Sequence, residues 1–477
     1  MNAILPPHFA AVVVAMILVA GCSVYSPRTE VEPRIELRDS FPDTGLQVPD
    51  RWWEDFSDPE LTQVIEATLD NNLSLRMAWA RLDQMQALTR IAGAGRYPNA
   101  DLAIGAERQK LGGDQSASPS GPQDDTINTM FASLTVAYQL DLWKKISNTR
   151  KAAILDQQAS RQDVEATALM LTGAAGELWY GIAAEQATLQ LLDEQLEIGQ
   201  SFLNLVQLRF ANGLSSAVDV FQQRLQVETT RSQIPAATTR LATRTHQMAV
   251  LLGREPRARI PLPAAELPAL PPLPATGVPL EVLRARPDVR ATELQLMASD
   301  HRLAVAIADR YPTLSFSATL GGQAENFSDI LDQWFLNLAG NLLAPIFDGG
   351  RRTAEADRNR AVVKERFYAW ESAVLSACTE VEDALVSEHG LHERSRILAT
   401  QLELAGVSLD RSRALYANGL TDYLTVLTSL QALQNLQRQA ISTQQELLTN
   451  RIRLYLALGG SWSRSMEDPT AIAEEQT

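Results

Sequence analysis

A chain of 477 residues has room for two or three domains, and its 45% hydrophobic and 21% charged composition with two cysteines excludes collagen-like, disordered and disulfide-stapled classes. The net charge of −15 leaves no basic stripe for a phosphate backbone, which excludes nucleic acid as a partner.

The apolar run from Ala10 to Ala20 is too short to span a bilayer as a helix and suits the core of a signal peptide. It ends in Val19-Ala20-Gly21-Cys22, which resembles a bacterial lipobox. That resemblance implies removal of residues 1–21 and a covalent lipid on Cys22, although residues 1–9 lack the usual Lys or Arg. Ser23, where Asp would favour inner-membrane retention, implies the outer membrane. Residues 22–57 then form a lipid-anchored extension. The other cysteine, Cys378, follows an apolar helical stretch and reads as a small buried side chain with no disulfide partner. Beyond the signal no run approaches 18 apolar residues, so any membrane crossing must use strands.

A first unit covers residues 58–252. After a helical stretch that Gly93-Ala94-Gly95 stops, Arg96-Tyr97-Pro98 opens a β-hairpin over 99–140. Its strands are Asn99 to Glu107 and Met130 to Leu140, with Met130, Ala132, Leu134, Val136, Tyr138 and Leu140 on one face and a polar loop from Gln109 to Thr126 between them. Length and period fit transmembrane strands, and they equally fit a half-buried soluble hairpin. From Leu142 to Ala211 no proline interrupts, which allows a helix on the order of 100 Å. Leu189, Leu192, Leu196, Gly199, Leu203, Val206 and Phe210 alternate three- and four-residue spacings along it, the pattern of a coiled-coil seam. Asn212-Gly213-Leu214 then reverses the chain, and a second helix returns to close a helical hairpin over 142–252.

The Pro-rich segment 253–279 reads as an extended linker. Residues 280–458 then repeat the first unit: Arg310-Tyr311-Pro312, a hairpin over 313–347 with strands Thr313 to Leu320 and Trp334 to Phe347, and a helical hairpin over 350–458. Its long helix, Arg351 to Ala417, carries Leu398, Leu402, Ala405, Leu409, Ser412 and Tyr416 as its seam and turns at Asn418-Gly419-Leu420. The Arg-Tyr-Pro, Asp141/Asp348 and Asn-Gly-Leu pairs recur at offsets of 214, 207 and 206, the mark of an internal duplication. The returning helices are shorter than their partners, so Ser57 to Ala92 and Pro287 to Ala308 are expected to stack end to end with them. Residues 459–477 read as an acidic tail.

Catalytic signals are missing. His389 and His392 beside Glu388 and Glu393 have a spacing that could hold a metal, but they read as exposed polar residues on a solvated helix face. No Walker loop, G-x-S-x-G or GxGxxG occurs, so no catalytic residue, metal or cofactor is assigned beyond the lipid at Cys22. Without a nucleotide site or a catalytic constellation the chain is not read as an enzyme.

The Cys22 lipobox, the paired Arg-Tyr-Pro openings, Arg286-Pro287-Asp288-Val289-Arg290, Ala344-Pro345-Ile346-Phe347-Asp348-Gly349-Gly350-Arg351-Arg352 and Tyr416-Ala417-Asn418-Gly419-Leu420-Thr421-Asp422-Tyr423-Leu424 together resemble the TolC-like outer-membrane efflux proteins, in their NodT-like lipoprotein branch. The resemblance implies an α+β membrane protein in which four transmembrane strands per chain complete a trimeric twelve-strand β-barrel and long helical hairpins form a periplasmic helical barrel. It implies a homotrimer in outer-membrane lipid, anchored through Cys22 and extending into the periplasm of a Gram-negative bacterium. A periplasmic adaptor and an inner-membrane transporter are the implied partners, with Asn212, Gly213, Leu214, Asn418, Gly419 and Leu420 at the contacted tip. The strand count alone points the same way: four strands cannot close a barrel, and twelve leave a lumen where eight would be filled. A lipid-anchored coiled coil or an adaptor-type lipoprotein, neither with a pore, stands as the alternative. Asp422, Thr421 and Tyr423, just past the second tip, are gate candidates. Asp422 reads either as one of three carboxylates in a ring or as a helix cap.

Overall fold

The computed structural model describes residues 25–28, 51–110, 126–274, 284, 286–459 and 466–467. After a 3₁₀ turn over Trp52–Phe56, the order is α1 (Pro59–Asn71), α2 (Leu73–Ala94), β1 (Asn99–Lys110), β2 (Thr126–Gln139), α3 (Lys145–Ala211), α4 (Ala217–Leu251), α5 (Pro287–Ala308), β3 (Thr313–Ala324), β4 (Trp334–Leu343), α6 (Arg351–Ala417) and α7 (Tyr423–Leu458). Cys22, residues 111–125 of the expected Gln109-to-Thr126 loop and nearly all of the acidic tail lie outside the described residues, while Gln109, Lys110 and Thr126 belong to the strands.

The two sequence repeats are not the two compact bodies. One body takes residues 83–159 and 293–369, with 25–28, and the other takes 51–82, 160–292 and the chain from Trp370 onward. Each body draws on both repeats, because neither repeat can bury its own strands and helices alone.

In the first body the four strands form one antiparallel sheet in the order β1-β2-β3-β4. The strands depart from the sequence reading at both ends of the second hairpin. β3 continues through Gly321 and Gly322, residues that resemble breakers, because Phe335 lies against Gly321 and the Ile330 backbone against Gly322, where a Cβ would collide. β4 stops at Leu343 instead of Phe347, since Pro345 cannot donate to a ladder. The long helices are started by carboxylates at matching places in the two repeats. Asp141 accepts from the Ile146 and Ser147 N–H groups, both at 2.8 Å, and Asp348 accepts from Gly350 at 3.1 Å and Arg352 at 3.2 Å.

In the second body the aromatic turn, at the end of the expected 22–57 extension, is a core element. Trp52, Trp53 and Phe56 pack with Trp179, Tyr180, Met248, Ile452 and Tyr455. Two polar ends are satisfied at the rim: Trp179 Nε1 donates to Asp58 at 2.8 Å, and the Tyr455 hydroxyl donates to Asp55 at 2.6 Å. The helices join end to end in both repeats. Asn72 Nδ2 donates to the Leu251 carbonyl at 2.9 Å where α2 meets α4, and Arg286 Nη1 donates to the Ala457 carbonyl at 3.2 Å where α5 meets α7. The Pro-rich segment is extended and docked rather than free. Ile260 is buried, and the Pro271 and Pro272 carbonyls accept from Arg451.

Candidate conduit surfaces

The sheet has two chemically distinct faces because register fixes which side chains share a row. One row reads Leu102, Leu134, Leu320 and Leu336 across all four strands, and the next toward the helices reads Ala100, Val136, Ala318 and Leu338. All four leucines are exposed in the single chain. The opposite face carries Asp101, Thr135, Thr319 and Asn337 in one row, with the Thr135 and Thr319 hydroxyls 3.1 Å apart. Apolar rows run from Leu140 and Leu314 to Ala106, Met130 and Ala324. That is ten residues of strand, about 33 Å at 3.3 Å each. Tilted about 40°, it forms a band about 25 Å tall, the height of an outer-membrane barrel's apolar belt. Aromatic side chains stand at both limits, Trp334 toward the loops and the stacked Trp143 and Tyr311 toward the helices.

The two helical tips are copies of one another. Gly213 and Gly419 both have φ +73°, the Leu214 N–H donates to Arg209 C=O at 2.8 Å, and the Leu420 N–H donates to Leu415 C=O at 2.9 Å. Asn212 and Asn418 turn their side-chain amides back onto the Leu208 and Ala414 carbonyls at 2.7 and 2.8 Å. Leu214 and Leu420 project into solvent. Ser216 and Asp219 make a capping box at the start of α4, while Asp422 accepts from the Thr425 N–H at 3.2 Å and its hydroxyl at 2.8 Å. Thr421 bonds Thr425 in turn. Tyr423 is 1% exposed; its ring lies 5.4 Å from that of Tyr416 and its hydroxyl donates to Gln223 at 2.5 Å. The structure therefore locks Tyr423 inside the tip, whereas Asp422 and Leu420 are exposed.

The seam behind the tips is partly amide. Leu192, Gln195, Gly199, Phe202 and Val206 are buried along α3, while Leu189, Leu196 and Leu203 flank them and Phe210 is exposed. Gln226 and Gln431 from α4 and α7 bond at 2.7 Å, and Gln226 and Gln434 at 3.0 Å. Such a polar ladder fixes the register between the two hairpins, since a slipped arrangement leaves buried amides without partners.

Around His389 and His392 the sequence reading missed a buried ion pair. Glu388 is not on a solvated face: its side chain is 3% exposed and meets Arg451, 2% exposed, at 2.5 Å, with Asn450 Nδ2 donating to it at 2.8 Å. His392 touches it at 3.2 Å. No local signal marks this pair, because Arg451 comes 63 residues later. Cys378 is half-buried, and burial raises its thiol above the ordinary value.

The profile of the outer membrane efflux proteins matches residues 64–254 and again 278–460, one match per repeat. The chain belongs to that family. Among relatives of this efflux channel, the pyoverdine export outer membrane protein OpmQ of Pseudomonas putida is 31% identical over 464 residues, covering 96% of this chain and 98% of the relative. The toluene efflux pump outer membrane protein TtgI of the same species is 30% identical, covering 86% and 87%. Among solved structures, the outer membrane protein VceC of Vibrio cholerae superposes with a TM-score of 0.80 at 25% identity, covering 87% of this chain and 99% of that one. The efflux channel is thus an outer-membrane component of efflux pumps in a family of channels, not an enzyme. The TolC-like architecture, with four strands and long helical hairpins from two repeats, follows from the same matches.

Proposed function

We propose that three copies of this efflux channel close one twelve-stranded barrel and act as a passive duct, anchored through a lipid on Cys22. Substrates enter at the helical tips from an inner-membrane transporter, which a periplasmic adaptor couples to Asn212, Gly213, Leu214, Asn418, Gly419 and Leu420. The observation that carries this reading is the sheet: four strands with one apolar and one polar face and, among the described residues, unpaired edges at β1 and β4. An open edge is intolerable in hydrocarbon, so β1 of one copy pairs with β4 of the next. Eight strands would leave an interior filled by side chains, whereas twelve leave a lumen lined by the Thr135 row. At the tip, the exposed Asp422 supports a resting gate set by charge, in addition to its cap on α7. Pyoverdine, toluene and other compounds in the relatives' names mark the range of small molecules such ducts carry. Cysteine pairs, one on β1 and one on β4 of the same chain, scanned along the strands of the membrane-inserted protein test the closure. Oxidation is expected to give covalent trimers at facing positions, and monomers at every pair would refute it. Mass spectrometry of the mature N-terminus tests the anchor, which an unmodified Cys22 would remove.

A further inference from the structure

Asp300 lies in the middle of α5 with 2% of its surface exposed. A carboxylate there has no free helix N–H to accept from, since the backbone donors of a helix interior are already used. Burial of an unpartnered carboxylate is costly, so its partners must come from elsewhere. They come from the mature N-terminal segment. The Tyr25 hydroxyl donates to Asp300 Oδ1, and the Arg28 backbone N–H donates to Oδ2 at 2.7 Å. Each oxygen receives one donor, and among the described residues both donors belong to this one short stretch, 272 to 275 residues away in sequence.

We propose that Asp300 is the receptor for the N-terminal segment and fixes the place at the foot of the sheet from which the anchor enters the membrane. The latch rests on the structure, while its anchoring role rests on the reading of Cys22 as lipidated. The lengths agree. Cys22 precedes Tyr25 by three residues, a reach of about 10 Å of extended chain. From Asp300 to the end of α5 at Ala308 the helix rises about 12 Å, and β3 begins at Thr313. A lipid on Cys22 therefore comes to within about 2 Å of the level of the end of α5, four residues before the strands start. The tyrosine also stays a donor: burial and the Asp300 bond push Tyr25 up to about 12.

Trypsin cleaves after Arg28, inside the docked stretch, and releases the peptide Cys22–Arg28 from the otherwise folded protein. With the full-length protein in detergent, slow release is expected from the wild type. A release at least tenfold faster is expected from Tyr25→Phe, which removes one hydroxyl and leaves every helix intact. Asp300→Asn should accelerate release similarly, and the double variant should exceed neither single one greatly, because both act on one contact. An unchanged rate in Tyr25→Phe overturns the latch. The mass of the released peptide reports on the other half: a diacylglyceryl adduct supports the anchor, and a bare cysteine overturns the anchoring role whatever the cleavage rates.

Discussion

Replacing Leu134 with Arg places a charge in the middle of the leucine row, whose depth the register supplies. Six apolar rows, two residues apart along each strand, span the belt of about 25 Å, so adjacent rows differ in depth by about 5 Å. The Leu102–Leu134–Leu320–Leu336 row is the fourth from the helix end, about 15 Å into the belt and close to the bilayer midplane. An Arg on the lipid face at that depth costs about 2–4 kcal/mol per chain, and three chains carry it at one level. Phe316 lies two rows nearer the helices, so Phe316→Arg should cost less, about 0–2 kcal/mol. Thr135→Arg points to the opposite face and loses only the hydroxyl contact with Thr319, worth about 1 kcal/mol. Folding each variant into lipid vesicles across a guanidinium series measures these differences directly. The expected order of destabilisation is Leu134→Arg, then Phe316→Arg, with Thr135→Arg close to wild type. Equal midpoints for Leu134→Arg and Thr135→Arg would refute the assignment of the two faces.

Arg451→Ala should lower stability by about 3–5 kcal/mol in chemical unfolding, because Glu388 is left buried without its partner and the Pro271 and Pro272 carbonyls lose their donor; a loss below 1 kcal/mol would mean that water reaches Glu388. Asp422→Asn keeps the cap and deletes the charge, while Asp422→Ala loses the cap at about 1 kcal/mol. A conductance change in Asp422→Asn supports the gate, and identical conductance with only a thermal shift in Asp422→Ala leaves the residue a cap. Gly213→Ala should cost about 1 kcal/mol in melting experiments from its φ of +73° alone, since nothing lies within 4 Å of the added methyl group. Because folding raises the Tyr25 value, its contribution is complete below the unfolded value of 10.0 and lost as pH rises through about 12. Protection of Arg28 from an alkali-tolerant protease should therefore hold up to 10.0, decline above it and be lost by about 12.

What the sequence made legible is what local chemistry determines. Asn212-Gly213-Leu214 and Asn418-Gly419-Leu420 announce their turns because a left-handed glycine and a back-bonded asparagine suffice to build them. The strand faces were readable because period two assigns each residue a side regardless of partner. What stayed hidden depends on residues far apart in the chain. Glu388 reads as an ordinary helix-surface acid until Arg451 arrives beside it, and Trp52–Phe56 reads as the end of the lipid-anchored extension until Trp179 and Tyr455 enclose it. Tyr423 sits one residue past an exposed cap, yet its ring turns inward onto Tyr416 and Gln223. Gly321 and Gly322 resemble a turn, and only the approach of Phe335 and Ile330 explains why the strand passes through them.

The central claim is that the polar face of the sheet lines water while the leucine face meets lipid. Single cysteines at Thr135, Thr319, Leu134 and Leu320, probed in intact outer membranes with a small membrane-impermeant maleimide, test it most directly. Rapid labelling of Thr135→Cys and Thr319→Cys with protection of Leu134→Cys and Leu320→Cys is the predicted result. Labelling at all four positions would mean soluble hairpins, and labelling at none would mean a filled barrel; either contradicts a water-filled conduit.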